Sequence, residues 1–113
     1  RPPVVWLIGD GGLQFTLPEL ASAVEARTPV IVLLWNNNGY EEIKKYMVNR
    51  AIEPVGVDIY TPDFITVAKG LGCAAQTVNG VDELRAALRA AVDRQGPSLI
   101  EIDQNQWQKA VLA

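Results

Sequence analysis

Val4-Val5-Trp6-Leu7-Ile8 runs without a polar break into Gly9-Asp10-Gly11-Gly12, and Val30-Ile31-Val32-Leu33-Leu34-Trp35 runs in the same way into Asn36-Asn37-Asn38-Gly39. Both runs are continuous rather than alternating, which is how strands covered on two faces read. Residues 74–78, more weakly, and residues 98–102 have the same strand length. Helical spacing fills the intervals. Leu17, Leu20, Ala21 and Val24 form one stripe, with Thr16-x-x-Glu19 as a capping box at its start. Phe64, Val67, Ala68 and Leu71 form a second, opened by Thr61-Pro62 and closed by Gly70 or Gly72. Val81, Leu84, Leu88, Ala91 and Val92 form a third, ended by Gly96-Pro97. Residues 42–47 make a short fourth candidate through Ile43, Tyr46 and Met47. The resulting order, β-α-β-α-α-β-α-β, predicts an α/β fold: a mostly parallel sheet flanked by helices on both faces. Residues 49–61 form the longest connection without a pattern, and loops of that length are commonly functional.

Composition narrows the chemistry. The chain has 113 residues, enough for one domain with a real core, and 49% hydrophobic against 20% charged residues argues for a globular protein. A net charge of −3 leaves no electrostatic footprint for nucleic acid or an anionic membrane. No apolar run approaches the length of a membrane span. With no His, Ser-His-Asp and Cys-His catalysis and His-ligated zinc are excluded within the chain. The lone Cys73 excludes an internal disulfide and fits a reducing, cytoplasmic setting; it reads as a buried small hydrophobe. Arg1-Pro2-Pro3 is neither a natural start nor a signal peptide, so a fragment or processed piece is expected.

Ligands of open α/β sheets bind at the carboxyl ends of the strands, where both decisive turns stand. Gly11 and Gly12 would let main-chain N–H groups approach a phosphate. The turn is not a dinucleotide fingerprint, because Gln14 stands where the third Gly belongs, and no Gly-Lys-Ser/Thr follows. Asp10 would repel a phosphate unless a cation lay between them. Mg²⁺ resolves the conflict: it takes hard oxygens, one or two from carboxylates and the rest from phosphates and water. Asp10, an Asn amide oxygen and a main-chain carbonyl are the candidate protein ligands. A turn-only role for either segment, a non-catalytic phosphate-binding module, and a receiver- or flavodoxin-like interaction module are the competing readings.

Gly9-Asp10-Gly11 followed by Asn36-Asn37 resembles the thiamine diphosphate motif of the pyruvate decarboxylase and acetolactate synthase superfamily. The likeness extends through residues 9–20, the strand before Asn36-Asn37-Asn38-Gly39-Tyr40 and the final Pro97-Ser98-Leu99-Ile100-Glu101-Ile102. It covers essentially the whole chain and matches the later part of the diphosphate-binding C-terminal domain, so that residues 1–113 are expected to be that domain truncated at its N-terminus. The resemblance implies Mg²⁺ held by Asp10, Asn37 and the carbonyl of Gly39, and diphosphate held by Gly11 and Gly12. Leu13 and Ile43 are candidates to face the thiazolium ring, with core packing equally open for Ile43. Tyr40 is a further candidate cofactor contact, with packing as its default role. The implied reaction is non-oxidative decarboxylation of a 2-oxo acid or the related carboligation. No residue here is assigned as catalytic, since the family places the activating Glu on a separate pyrimidine-binding domain, usually of a partner subunit. The chain alone is expected to be inactive and, when full length, a homodimer or homotetramer.

Two departures from the family pattern matter. Many members carry Ser or Ala where Gly12 stands. Pyruvate decarboxylases carry a Glu where this chain has Ile43, so the pattern leans towards benzoylformate decarboxylase-like or acetolactate synthase-like members. Residues 38–47 and 53–58 also resemble decarboxylases of 5-guanidino-2-oxopentanoate (2-ketoarginine), and the Glu41-Glu42 pair would suit a cationic substrate, although a solvated helix start is its ordinary role. Trp6 and Trp35 read as core, Tyr46 as packing, and Trp107 as an interface anchor.

Overall fold

The computed structural model describes residues 4–37, 47–53 and 62–107. Its centre is the parallel pair β2 (Val30–Asn36) and β4 (Ser98–Asp103), flanked by β1 (Val4–Gly9) on one side and β3 (Ala74–Val78) on the other. The helices described at both ends are α1 (Asp10–Thr16), α2 (Glu19–Glu25), α3 (Phe64–Gly70) and α4 (Val81–Val92), and residues 47–49 and 104–107 are helical as well. The expected α/β class with a parallel sheet is found, but two short helices, α1 and α2, stand between β1 and β2 where one was expected. The short helix expected over residues 42–47 lies outside the described residues, Met47 excepted.

Alternation along the strands sorts side chains onto two faces. Val32, Leu34 and Leu99 project towards α1, α2 and α3 and form one core with Leu13, Leu20, Phe64, Ala68 and Cys73. Ile31, Ile100, Ile102 and Val78 project to the other face, where Ala87 and Ala91 of α4 cover them. The connections from β1 to β2 and from β2 to β3 advance across the sheet with helices on the first face. The β3-to-β4 connection steps back, and its helix lies on the second. Right-handed crossovers require that reversal.

Three local expectations are corrected. The Gly9–Gly12 segment is not a loop, because α1 begins at Asp10 with Gly9 as its extended N-cap. Thr16 caps nothing: it ends α1 and its hydroxyl donates back to the Leu13 carbonyl at 3.5 Å, while α2 starts after Pro18, which suits a helix start because it lacks an N–H. The cap of α3 is Asp63, whose carboxylate accepts from the Thr66 N–H at 3.1 Å and the Thr66 hydroxyl at 2.7 Å. At its other end α3 closes as a Schellman motif, with the Cys73 N–H on the Ala68 carbonyl and the Gly72 N–H on that of Lys69. Gly72 has φ +97°, and a Cβ there would meet Val24 Cγ1 at 3.0 Å, so only glycine fits.

The reading of the first strand fails in one respect. Among the described residues β1 is an edge strand with apolar side chains open on both faces; Leu7 is 66% exposed and Val5 54%. Trp6, expected in the core, is also exposed. Trp107, expected as an interface anchor, is half-buried: its ring lies 6.5 Å from that of Trp35, which also donates from Nε1 to Gln104 Oε1 at 2.9 Å. The segment after β4 thus folds back onto the second core.

Candidate functional site

Parallel pairing sets Gly9 beside Trp35, so the ends of β1 and β2 deliver Asp10 and Asn36-Asn37 to one point of the carboxyl edge. Asp10 is 1% exposed, and its Oδ1 accepts the Asn37 main-chain N–H at a long 3.4 Å. Asp10 and Asn37 are therefore neighbours, which disfavours the interaction-module reading that would separate them. A buried carboxylate is costly unless charge or hydrogen bonds compensate it. Placing it at the first position of α1 sets it against the positive end of the peptide dipoles.

Gly11 and Gly12 occupy the same first turn, where N–H groups lack intrahelical partners. Gly11 is buried and Gly12 exposed. A Cβ at position 12 would lie 3.3 Å from Ile8 Cγ1, so a Ser or Ala there would press on the end of β1. Leu13 is fully buried in the first core, packed from below the turn. That packing favours a core role over the expected ring contact. Gly39, Tyr40, Ile43, Glu41 and Glu42 lie outside the described residues.

Hard oxygen donors of one carboxylate and one amide side chain at adjacent strand ends fit a Mg²⁺ ion that completes its shell with phosphate and water. No cluster of three His, Cys, Asp or Glu side chains lies together among the described residues, so they offer no closed protein cage that would compete with such a shared shell. Sequence reasoning missed one neighbouring group. Glu101 accepts from Asn36 Nδ2 at 2.9 Å through Oε2 and from the Thr77 hydroxyl at 2.8 Å through Oε1. Nothing local signals it, because its partners stand 65 and 24 residues away. On the first face, burial pushes the Cys73 thiol up, as expected of an inert buried cysteine. No helix among the described residues is long and apolar enough to cross a membrane.

Comparison with known proteins identifies the family. The family model described as "Thiamine pyrophosphate enzyme, C-terminal TPP binding domain" matches residues 1–102. A probable 2-ketoarginine decarboxylase of Pseudomonas aeruginosa is 44% identical over 103 residues, covering 90% of this chain and 18% of that protein. Benzoylformate decarboxylase of the same organism is 30% identical over 103 residues, covering 90% of this chain and 20% of that protein. The structure of a thiamine diphosphate-dependent 4-hydroxybenzoylformate decarboxylase from Rhodococcus jostii superposes with a TM-score of 0.82 at 28% identity, over 89% of this chain and 19% of that one. The chain thus spans about a fifth of the length of these relatives. By the residues at its strand ends, its fold and these matches, the chain belongs to the thiamine pyrophosphate enzymes, as their C-terminal TPP-binding domain.

Proposed function

We propose that this chain supplies the Mg²⁺–diphosphate side of the cofactor site in a longer enzyme that decarboxylates a 2-oxo acid without oxidation. The observation that carries the reading is the buried Asp10 carboxylate in contact with the Asn37 main chain at the ends of two adjacent parallel strands. Asp10 and the Asn37 side chain, with the Gly39 carbonyl, would hold the metal, and the N–H groups of Gly11 and Gly12 would hold the diphosphate. Thiamine diphosphate, when bound, supplies the electron sink for carbon–carbon cleavage. The protein's part is to anchor and orient it.

The substrate class follows from the relatives. The match to a probable 2-ketoarginine decarboxylase, together with the acidic pair Glu41-Glu42, supports a cationic 2-oxo acid. Acetolactate synthases among the relatives, such as that of Bacillus subtilis at 28% identity, support carboligation as the second reading. In either case the remaining domain and a partner subunit would complete the site, in a homodimer or homotetramer, and the free buried Cys73 suits a reducing, cytoplasmic setting.

Calorimetric titration of the intact protein with thiamine diphosphate, with and without Mg²⁺, tests the site. Binding should require Mg²⁺ and weaken by at least ~10-fold in Asp10→Ala, since even outer partners of a metal site are worth that much. Metal-independent binding, or unchanged affinity in Asp10→Ala, sinks the reading. Product analysis with 2-ketoarginine and with pyruvate separates the two reactions: carbon dioxide plus an aldehyde supports decarboxylation, and acetolactate supports carboligation.

A further inference from the structure

A polar line crosses the carboxyl edge of the sheet through all four strands. Thr77 on β3 donates to Glu101 on β4, Glu101 accepts from Asn36 on β2, and the next residue, Asn37, donates from its main chain to Asp10 at the end of β1. The register makes the middle link specific. Glu101 lies opposite Leu34 on one side and Thr77 on the other, so its carboxylate reaches two residues along β2 to take the Asn36 amide. Each carboxylate oxygen thereby has its own donor, from a different neighbouring strand. Asn36 is only 6% exposed, so its side chain is held by a charge-assisted hydrogen bond in a poorly solvated place.

We infer that Glu101 is a positioning residue for the metal site: by fixing the Asn36 side chain it fixes the strand end from which Asn37 meets Asp10. This rests on the assignment of Asp10 and Asn37 as metal ligands. Glu101 is not one of the assigned ligands; its oxygens are taken by Asn36 and Thr77, and it acts as outer partners of metal ligands act, by removing orientational freedom. Thr77 serves the same end by orienting the Glu101 carboxylate.

The test uses the intact protein, with Mn²⁺ as a spectroscopic stand-in for Mg²⁺ at saturating thiamine diphosphate. Electron paramagnetic resonance reads both affinity and the order of the Mn²⁺ environment. Glu101→Ala should weaken Mn²⁺ binding by about 10-fold and broaden the signal. Glu101→Gln should recover most of the affinity, since an amide oxygen still accepts and the Asn36 amide can rotate to meet the new N–H. Thr77→Val, nearly isosteric and therefore safe for folding, should give a smaller loss in the same direction. A purely structural Glu101 would lower the unfolding temperature of metal-free protein and leave Mn²⁺ affinity and line shape of the folded fraction unchanged, which overturns the inference. If the wild type shows no thiamine diphosphate-dependent Mn²⁺ binding, both the ligand assignment and this inference fall; if the wild type binds and all three variants bind equally well, only this inference does.

Discussion

Replacing Leu13 by Ala distinguishes a core residue from a cofactor contact. Leu13 is 0% exposed and packs in the first core with Leu20, Val32, Leu34 and Phe64. Removing three carbons forfeits ~2.4 kcal/mol of transfer energy at ~0.8 kcal/mol per methylene. A sheet on one side and helices on the other limit collapse, and a residual cavity of ~40 Å³ adds ~1 kcal/mol. The better helix propensity of Ala returns only a few tenths. The expected loss is therefore about 3 kcal/mol, against a total stability of roughly 5–15 kcal/mol for a domain of this class. Urea denaturation of the dilute chain, followed by far-ultraviolet circular dichroism, reads it as a lower midpoint at unchanged slope. A loss below ~1 kcal/mol would refute the packing that holds the first turn of α1, because the spread for buried Leu→Ala changes starts well above that.

Two further outcomes follow from helix ends. Arg27 closes α2 with φ +53°, and its N–H and that of Thr28 complete a Schellman motif on Val24 and Ala23; Arg27→Gly should stabilise the chain by up to ~1 kcal/mol, because an L side chain is disfavoured there, and a lower urea midpoint would contradict it. Hydrogen bonds from the Thr66 side chain and main chain hold the Asp63 carboxyl below its ordinary value of 3.8. The folded-state value is the lower one, so the stabilisation is present above pH 3.8 and lost as pH falls through the depressed value. The stability difference between wild type and Asp63→Asn should therefore shrink on acidification below that pH, and a difference that grew would refute the cap.

The centre of the sheet was legible because β2 is buried on both faces and a continuous apolar run suits such a position, whereas β4 breaks its run at Glu101. The paired turns were legible for a related reason: residues delivered by neighbouring parallel strands meet at one edge, so two motifs far apart in sequence share a site. What sequence reading missed was local or long-range. Gly and Asp suggest a loop by propensity, yet Asp10 opens a helix because its charge suits the amino end and Gly9 accepts the extended cap. Thr16 matched a capping-box spacing by coincidence, while Asp63, a strong N-cap type directly before Phe64, carried a usable signal that the Thr61-Pro62 pair obscured. Glu101 could not be seen at all, since one carboxylate in an apolar strand announces no partner across the sheet.

The openness of β1 bears on how this chain can be handled. Its second edge pairs with no strand among the described residues, and Val4, Val5 and Leu7 present apolar surface beside that edge. A row of N–H and C=O groups with no strand partner among the described residues is a template for another copy, and the usual guards (Lys, Pro or a bulge) are missing from Val4–Gly9. Produced at high concentration by itself, the chain should therefore self-associate strand to strand. A Lys at position 5 or 7 would act as a gatekeeper without touching Asp10, turning a storage problem into a soluble sample.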